Sequence, residues 1–313
     1  GNRIGLNALA GVAQKRIDRI DASDIGFILG PRLNAAGRME SALQAYDLLI
    51  TVEPQNAGVC AQILESQNTD RQQATKKAQE KALLEITDPN AQKVLFSFSE
   101  EYSSGIVGLV ASKLVENFYR PAVIGQIENG LIRASCRSIN EFDITAALDE
   151  CADLLVRHGG HAMAAGFTVQ QENLAELKQR LESIAERELG GKDLRPMVRA
   201  DLEIEINHIK PSFYSDLERF QPTGMGNPTP VFVSRGVEVE GMRLMGKEGG
   251  HLQFYVRGCA INRAVAFNQA YWHEVWQEDK PKFDLAYTID VNHYNGQDTQ
   301  QLNIRDMKIS AGG

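Results

Sequence analysis

Arg133-Ala134-Ser135-Cys136-Arg137-Ser138 and, about twenty residues later, Gly159-Gly160-His161-Ala162-Met163-Ala164-Ala165-Gly166-Phe167 are the stretches on which the reading of this chain turns. Residues two apart on a strand point the same way, so Ser135 and Arg137 share a face. A guanidinium grips phosphate oxygens through two parallel N–H bonds and a nearby hydroxyl adds a donor, which makes the pair suited to a phosphate. In the second stretch, Gly159 and Gly160 let backbone approach a ligand closely, and His161 can donate to a phosphate oxygen or a leaving group. Spacing alone equally allows Arg133 and Arg137 to lie on a solvated sheet edge beside Glu128 or Glu141. It also allows Gly159 to be a helix stop and His161 to pack at the start of the next helix.

Outward from these stretches the pattern is alternating strand and helix. Pro121–Glu128 and Leu131–Ser135 read as strands joined by a turn at Asn129-Gly130. Lys93–Ser99 reads as a strand, and Ile106, Leu109, Val110, Leu114 and Val115 recur at helical spacing. Ile144–Arg157 is expected as an amphipathic helix, Phe167–Val169 as a strand and Asn173–Leu189 as a helix, which together predict an α/β domain over 89–190.

Upstream, residues 54–86 form a long helical pattern, apolar at both ends but polar through Asp70, Arg71, Gln72, Gln73, Lys76 and Lys77. A helix polar all round in its middle bridges domains through solvent. Gly30-Pro31-Arg32-Leu33-Asn34-Ala35-Ala36-Gly37-Arg38 reads as an ordered connection rather than a helix, because glycine and proline punctuate it. Arg32 and Arg38 flank this segment, which either admits a phosphate or merely packs two helices. Ser41 is placed to cap a helix carrying Leu43, Tyr46, Leu48 and Leu49.

After a linker at Gly190-Gly191-Lys192-Asp193 the period changes. Val198, Ala200, Leu202, Ile204 and Ile206 alternate with polar residues, and turn signals recur at Gly249-Gly250 and Asn295-Gly296. Several short strands with tight turns predict a small all-β barrel or sandwich, of which an oligonucleotide-binding, OB-like barrel is one of the commoner choices. Its aromatic residues Phe254, Tyr255, Phe267, Tyr271, Trp272, Trp276, Tyr287 and Tyr294 are either core or platforms for stacked bases.

The 313 residues suit two domains. A net charge of -8 argues against a generally basic surface, so any site for a polyanion must be local. The four cysteines, Cys60, Cys136, Cys151 and Cys259, lack CxxC spacing, which points to reduced thiols and a cytoplasmic setting. No apolar run approaches the roughly 20 residues of a membrane span. The six histidines form no sequence cluster with aspartates that would seat catalytic metal ions. Neither a GxxxxGK[ST] loop nor a GxSxG elbow is present.

Taken together, Gly30–Arg38, Ser104-Gly105-Ile106-Val107-Gly108-Leu109-Val110-Ala111-Ser112, Arg133–Ser138, Gly159–Phe167 and the segment from Phe220 to Phe232 resemble the RecJ family of single-stranded-DNA-specific exonucleases, within the DHH/DHHA1 phosphoesterases. The resemblance implies a DHH-domain remnant (1–52), a connecting helix (53–88), a DHHA1 domain with a mixed sheet flanked by helices (89–190) and an OB-fold nucleic-acid-binding domain (196–310). It implies a hydrolase with 5′-to-3′ exonuclease activity in DNA repair and recombination, using Mn²⁺ or Mg²⁺ held by Asp and His residues of a DHH domain that this sequence does not contain. The fragment alone is then expected to be inactive. In these terms Ser135 and Arg137 match positions that hold the 5′-phosphate, and an arginine of the Gly30–Arg38 segment, Arg38 rather than Arg32, matches a further phosphate contact. Arg133, Gly159 and Gly160 line the substrate path, and His161 faces the metal site as the catalytic candidate. Ser103-Ser104 departs from the Trp-His type approach of many members. The implied partners are single-stranded DNA with a 5′ phosphate and a single-strand-binding protein or helicase, with no membrane. The alternative is a non-catalytic DNA-binding or scaffold relative.

Overall fold

The computed structural model describes residues 3–89, 91–294 and 297–311, leaving the side chains of His293 and Tyr294 undescribed. The expected turn at Asn295-Gly296 lies outside the described residues. The chain forms two compact units divided between Pro196 and Met197.

The first unit opens with helices α1 (Ile4–Val12), α2 (Ala22–Asp24), α3 (Gly30–Met39) and α4 (Leu43–Ile50), with a π-helical turn, Ile25–Leu29, running into α3. The Gly30–Arg38 segment is therefore a helix, not the loop its glycines and proline suggested. Pro31 falls in the first turn, where a missing N–H breaks no intrahelical bond. Ala35 and Ala36 are fully buried, and Ala36 joins the small residues Cys60 and Ala61 and the larger Leu64 of α5 (Pro54–Glu85) in one cluster. Gly5 of α1 is equally constrained, since a Cβ there would stand 1.8 Å from the Leu48 carbonyl oxygen.

The long helix appears where its pattern predicted it, but its middle is not solvated all round. Gln67, Asn68 and Thr75 are buried, while Asp70, Gln72, Gln73, Lys76 and Lys77 on other faces are exposed. Each buried polar side chain has a partner: Gln67 Nε2 donates to Glu40 (3.3 Å), Asn68 accepts from Arg71 (2.9 Å) and Thr75 donates to the Arg71 carbonyl (2.7 Å). The helix belongs to one apolar cluster through Ala61 and Leu64 and to a second through Ala78 and Ala82. A fully buried leucine such as Leu64 contributes about 1.5–3 kcal/mol to that attachment.

A five-stranded sheet follows, in the order β1-β2-β3-β5-β4, with β1 (Leu95–Ser99), β2 (Ala122–Glu128), β3 (Leu131–Arg137), β4 (Leu155–His161) and β5 (Ala164–Gln170). Only β1/β2 is parallel, and α6 (Val107–Phe118) makes that crossover. The β2–β3 turn falls at Asn129 and Gly130, both at positive φ. One face, through Val123, Ile132, Cys136, Phe167 and Val169, packs with Ala147 and Leu148 of α7 (Ile144–Asp149) and Leu177 and Leu181 of α8 (Leu174–Leu189). On the other face, Leu95, Ala122 and Ile124 pack with Val110, Ala111 and Leu114 of α6 and Ala78 and Ala82 of α5.

The helix expected over Ile144–Arg157 is shorter. Asp143 caps it, accepting from the Thr145 and Ala146 N–H groups at 3.0 Å, but it ends at Asp149. After a short 3₁₀ turn the chain enters β4, whose pairing with β5 overrides the helical periodicity. Gly159, Gly160 and His161 thus lie in a hairpin strand and not between two helices.

The second unit is a seven-stranded mixed sheet, ordered β6-β7-β11-β12-β10-β9-β8. Its strands are β6 (Leu202–Glu203), β7 (Phe232–Val237), β8 (Val239–Met245), β9 (His251–Val256), β10 (Arg263–Ala266), β11 (Phe283–Tyr294) and β12 (Gln297–Ile309). Helices α9 (Pro211–Glu218) and α10 (Trp272–Asp279) complete it. Because β6 and β8 end the order, the OB-like barrel is partly open, and register shifts in β11 and β8 mark its bends. The strand expected from the 198–206 alternation shrinks to two paired residues, with Leu202 half exposed. Phe254 and Tyr287 are core residues, and burial pushes the Tyr287 hydroxyl up to about 12 although Ser234 lies 2.8 Å away. Trp272 and Trp276 pack against the same core, whereas Tyr255, Phe267 and Tyr271 remain exposed.

Candidate functional site

Strand pairing in the first unit lays out three rows of side chains across the face that α6 covers in part. Antiparallel partners opposite one another point the same way, so Arg133, Thr168 and Arg157 form one row, Ser135, Gly166 and Gly159 the next, and Arg137, Ala164 and His161 the third. The central strand thus offers only Thr, Gly and Ala. It makes a shallow floor between the polar side chains of β3 and those of β4.

The alternation of β3 separates its functions cleanly. Ile132, Ala134 and Cys136 are buried in the core, and burial pushes the Cys136 thiol up to about 12, removing it from chemistry. Ser135 and Arg137 project to the opposite face, where Arg137 Nη1 donates to Ser135 Oγ (3.0 Å) and to the Cys136 carbonyl (2.8 Å).

The start of α6 lies directly over this pair. A Cβ at Gly108 would be 2.9 Å from Arg137 Nη2 and 3.0 Å from Ser135 Oγ, so only glycine leaves the space unchanged. The N–H groups of Ile106 and Val107 donate to the Ser103 carbonyl (3.0 and 3.2 Å) and that of Leu109 to the Ile106 carbonyl (2.8 Å), so what the helix start adds for an anion is the positive end of its dipole. A second glycine in the same segment does related work. A Cβ at Gly105 would stand 2.0 Å from the Arg38 carbonyl oxygen, and Arg38 Nη1 returns a bond to the Gly105 carbonyl at 3.1 Å.

Arg38, Ser135 and Arg137 therefore meet at the Gly105–Gly108 turn. Burial, followed by the nearby Arg38 charge, holds the Arg137 guanidinium below its ordinary value. Among the described residues neither Arg38 nor Arg137 forms an ion pair.

The remaining sequence candidates are dispersed. Arg32 is engaged by Glu65 and by the Ile28 carbonyl (2.9 Å), which ties α3 to α5. Arg133 shares the face of Ser135 but leans toward Glu128, 3.6 Å away, as the solvated alternative allowed; Glu141 instead accepts from Tyr119. His161 is exposed on the row of Arg137, two strands away or about 10 Å. Its carbonyl accepts from Thr145 Oγ1 at 2.8 Å. Gly160 is required by the hairpin itself, because a Cβ there would meet Ala164 O at 2.4 Å, whereas one at Gly159 would meet nothing. Gly105 and Gly108 were not singled out as site residues from sequence, since their roles depend on how a helix docks on a sheet.

Among the described residues no group of three or more His, Cys, Asp or Glu side chains could hold a metal ion. The described residues therefore make no seat for Mn²⁺ or Mg²⁺. Nor is any described helix long and apolar enough to cross a membrane.

Comparison with known proteins bears on the two units and not on individual site residues. Residues 91–187 match the DHHA1 domain and residues 200–306 the RecJ OB domain. The chain is 31% identical to the single-stranded-DNA-specific exonuclease RecJ of Bacillus subtilis, over 99% of this chain and 40% of that protein. It is 30% identical to the protein of that name from Dickeya dadantii, over 97% of this chain and 54% of the relative. Among solved structures, RecJ from Thermus thermophilus in complex with Mn²⁺ superposes with a TM-score of 0.83 at 28% identity, covering all of this chain and 45% of that one. The chain thus spans about half the length of the relatives it matches.

Proposed function

This chain belongs to the RecJ family, and from that premise we propose that it serves a metal-dependent 5′-to-3′ single-stranded-DNA exonuclease by gripping the 5′ end of the strand. The observation that carries the proposal is the convergence of Ser135, Arg137 and Arg38 at the glycine turn that opens α6. Arg137 takes two oxygens of a terminal phosphate, Ser135 Oγ donates to a third, and the positive end of the α6 dipole favours the charge. Arg38, bonded to the Gly105 carbonyl, adds charge at the same turn.

The floor of Ala164 and Gly166 then lets the following sugar and base lie close to the sheet, passing Gly159, Gly160 and His161. His161, exposed on the row of Arg137, is in this proposal the residue that meets the reacting phosphate. In the second unit, exposed Tyr255, Phe267 and Tyr271 offer platforms on which bases stack. Mn²⁺ or Mg²⁺ supplies the hydrolytic chemistry in this proposal, on ligands beyond the described residues. A cytoplasmic setting, a role in repair and recombination, and a single-strand-binding protein or helicase as partner belong to the same proposal.

Oligonucleotides of one sequence with either a 5′-phosphate or a 5′-hydroxyl test it by fluorescence anisotropy. The phosphorylated strand should bind more tightly, and Arg137→Ala should abolish about tenfold or more of that preference while sparing the 5′-hydroxyl strand. Equal affinities in the unsubstituted protein would remove the proposed phosphate role.

A further inference from the structure

On the sheet face of the first unit, the row beside Ser135 carries two arginines that the grip on a terminal phosphate leaves free. Arg133 on β3 and Arg157 on β4 stand with Thr168 of β5 between them, two strands or about 10 Å apart. A cavity of about 260 Å³ lies here, bordered by these three residues and Gly166. Ala134, His158 and Phe167 also border it, but each is the strand neighbour of one of the three and turns its side chain to the opposite face. Together with Gly166 they supply backbone, so the floor is flat. At about 30 Å³ for each water, the space exceeds what one phosphate group fills and takes a planar heterocycle.

The two walls differ. Arg133 leans on Glu128 at 3.6 Å, and both are half exposed. Arg157 is held by one bond, from its Nε to Thr168 Oγ1 at 3.2 Å, and Thr168 is only 6% exposed. Its Nη1 and Nη2 bond to nothing among the described residues. Because Nε is the anchored atom, the free end of the guanidinium remains for a ligand and meets two acceptors side by side. None of the described residues bordering the cavity is a carboxylate that would compete for it.

Arg133 precedes Ser135 by two residues, about 7 Å along β3. A group joined through one sugar to a phosphate at Ser135 and Arg137 reaches the cavity over Gly166, while the rest of the strand leaves toward His161 in the row on the other side. Resting on the phosphate reading above, we propose that this cavity seats the nucleobase of the 5′-terminal nucleotide and that Arg157 gives the seat a preference for guanine. Guanine presents O6 and N7 as adjacent acceptors, the pair that an arginine meets bidentately, whereas adenine has a donor amine in place of O6. The two purines match in size, so a difference between them reports hydrogen bonding and not volume.

Fluorescence anisotropy tests this with 5′-phosphorylated oligonucleotides that differ only in the first base, guanine, hypoxanthine or adenine. They are bound to the 313-residue chain and to its Arg157→Ala and Arg157→Lys variants. Guanine and hypoxanthine, which share O6 and N7, should bind about tenfold more tightly than adenine. Arg157→Ala should remove that difference, and Arg157→Lys, which keeps the charge but not the planar fork, should remove most of it. Both variants should keep the preference of the unsubstituted chain for a 5′-phosphate over a 5′-hydroxyl. Equal affinities for the three bases in the unsubstituted chain overturn the inference and leave the phosphate site standing. A base preference that survives Arg157→Ala also overturns it, with or without a uniform loss of affinity. So does loss of the 5′-phosphate preference in both variants, which makes Arg157 a structural residue. Indifference of the unsubstituted chain to the 5′ group overturns the reading beneath.

Discussion

At the scale of single residues, the site depends as much on an absent side chain as on those present. Gly108 leaves the room into which Arg137 and Ser135 project, and a Cβ 2.9 Å from Arg137 Nη2 must displace the guanidinium. The far end of an arginine can move, so Gly108→Ala is expected to lower affinity for a 5′-phosphorylated strand about tenfold while changing unfolding stability by less than about 1 kcal/mol, measured by binding and by urea titration. The shared face of Ser135 and Arg137 was legible from strand alternation alone. The parts played by Gly108 and Gly105 were not, because both follow from a helix docking over a sheet built from distant sequence. The pairing of Arg32 with Glu65, thirty-three residues away, was likewise not legible in the local sequence.

Elements show where local pattern fails and why. Glycine and proline made the segment from Gly30 read as a connection, yet Ala35 and Ala36 let it pack as helix α3. Conversely, the apolar spacing after Leu148 continued a helical pattern that β4 breaks in order to pair with β5. That hairpin fixes the rows on which His161 shares a face with Arg137. Gly160 is its most constrained point, since a Cβ there would stand 2.4 Å from Ala164 O and 2.5 Å from Ala165 Cα, both backbone atoms. Backbone cannot step aside as an arginine tip can. Gly160→Ala should therefore destabilise the first unit by about 1–3 kcal/mol in chemical denaturation and weaken binding with it, while Gly159→Ala, which meets nothing, should be close to neutral in stability. The long helix α5 was predicted almost to the residue, but its partly buried middle was not. Buried Asn68 and Thr75 are bonded, as is Gln67 through Nε2 though not through Oε1, and composition alone does not distinguish a bonded polar residue from a solvated one.

For the whole molecule, the net charge of -8 bears on the proposed grip by Arg38 and Arg137 at the turn that opens α6. An acidic surface disfavours indiscriminate binding to polyanions, so the proposed grip on a strand must be local, at Arg38 and Arg137. The two-unit organisation, an α/β unit followed by a partly open barrel, was legible from the change of hydrophobic period near residue 196. The central claim is that the turn opening α6 receives a terminal phosphate. Its most direct test is a crystal structure of the chain with a short 5′-phosphorylated single strand. The account predicts the terminal phosphate within hydrogen-bonding reach of both Ser135 Oγ and the Arg137 guanidinium, with Gly108 against it. A terminal phosphate bound elsewhere, with Arg137 still bonded to Ser135 as it is now, would contradict the account.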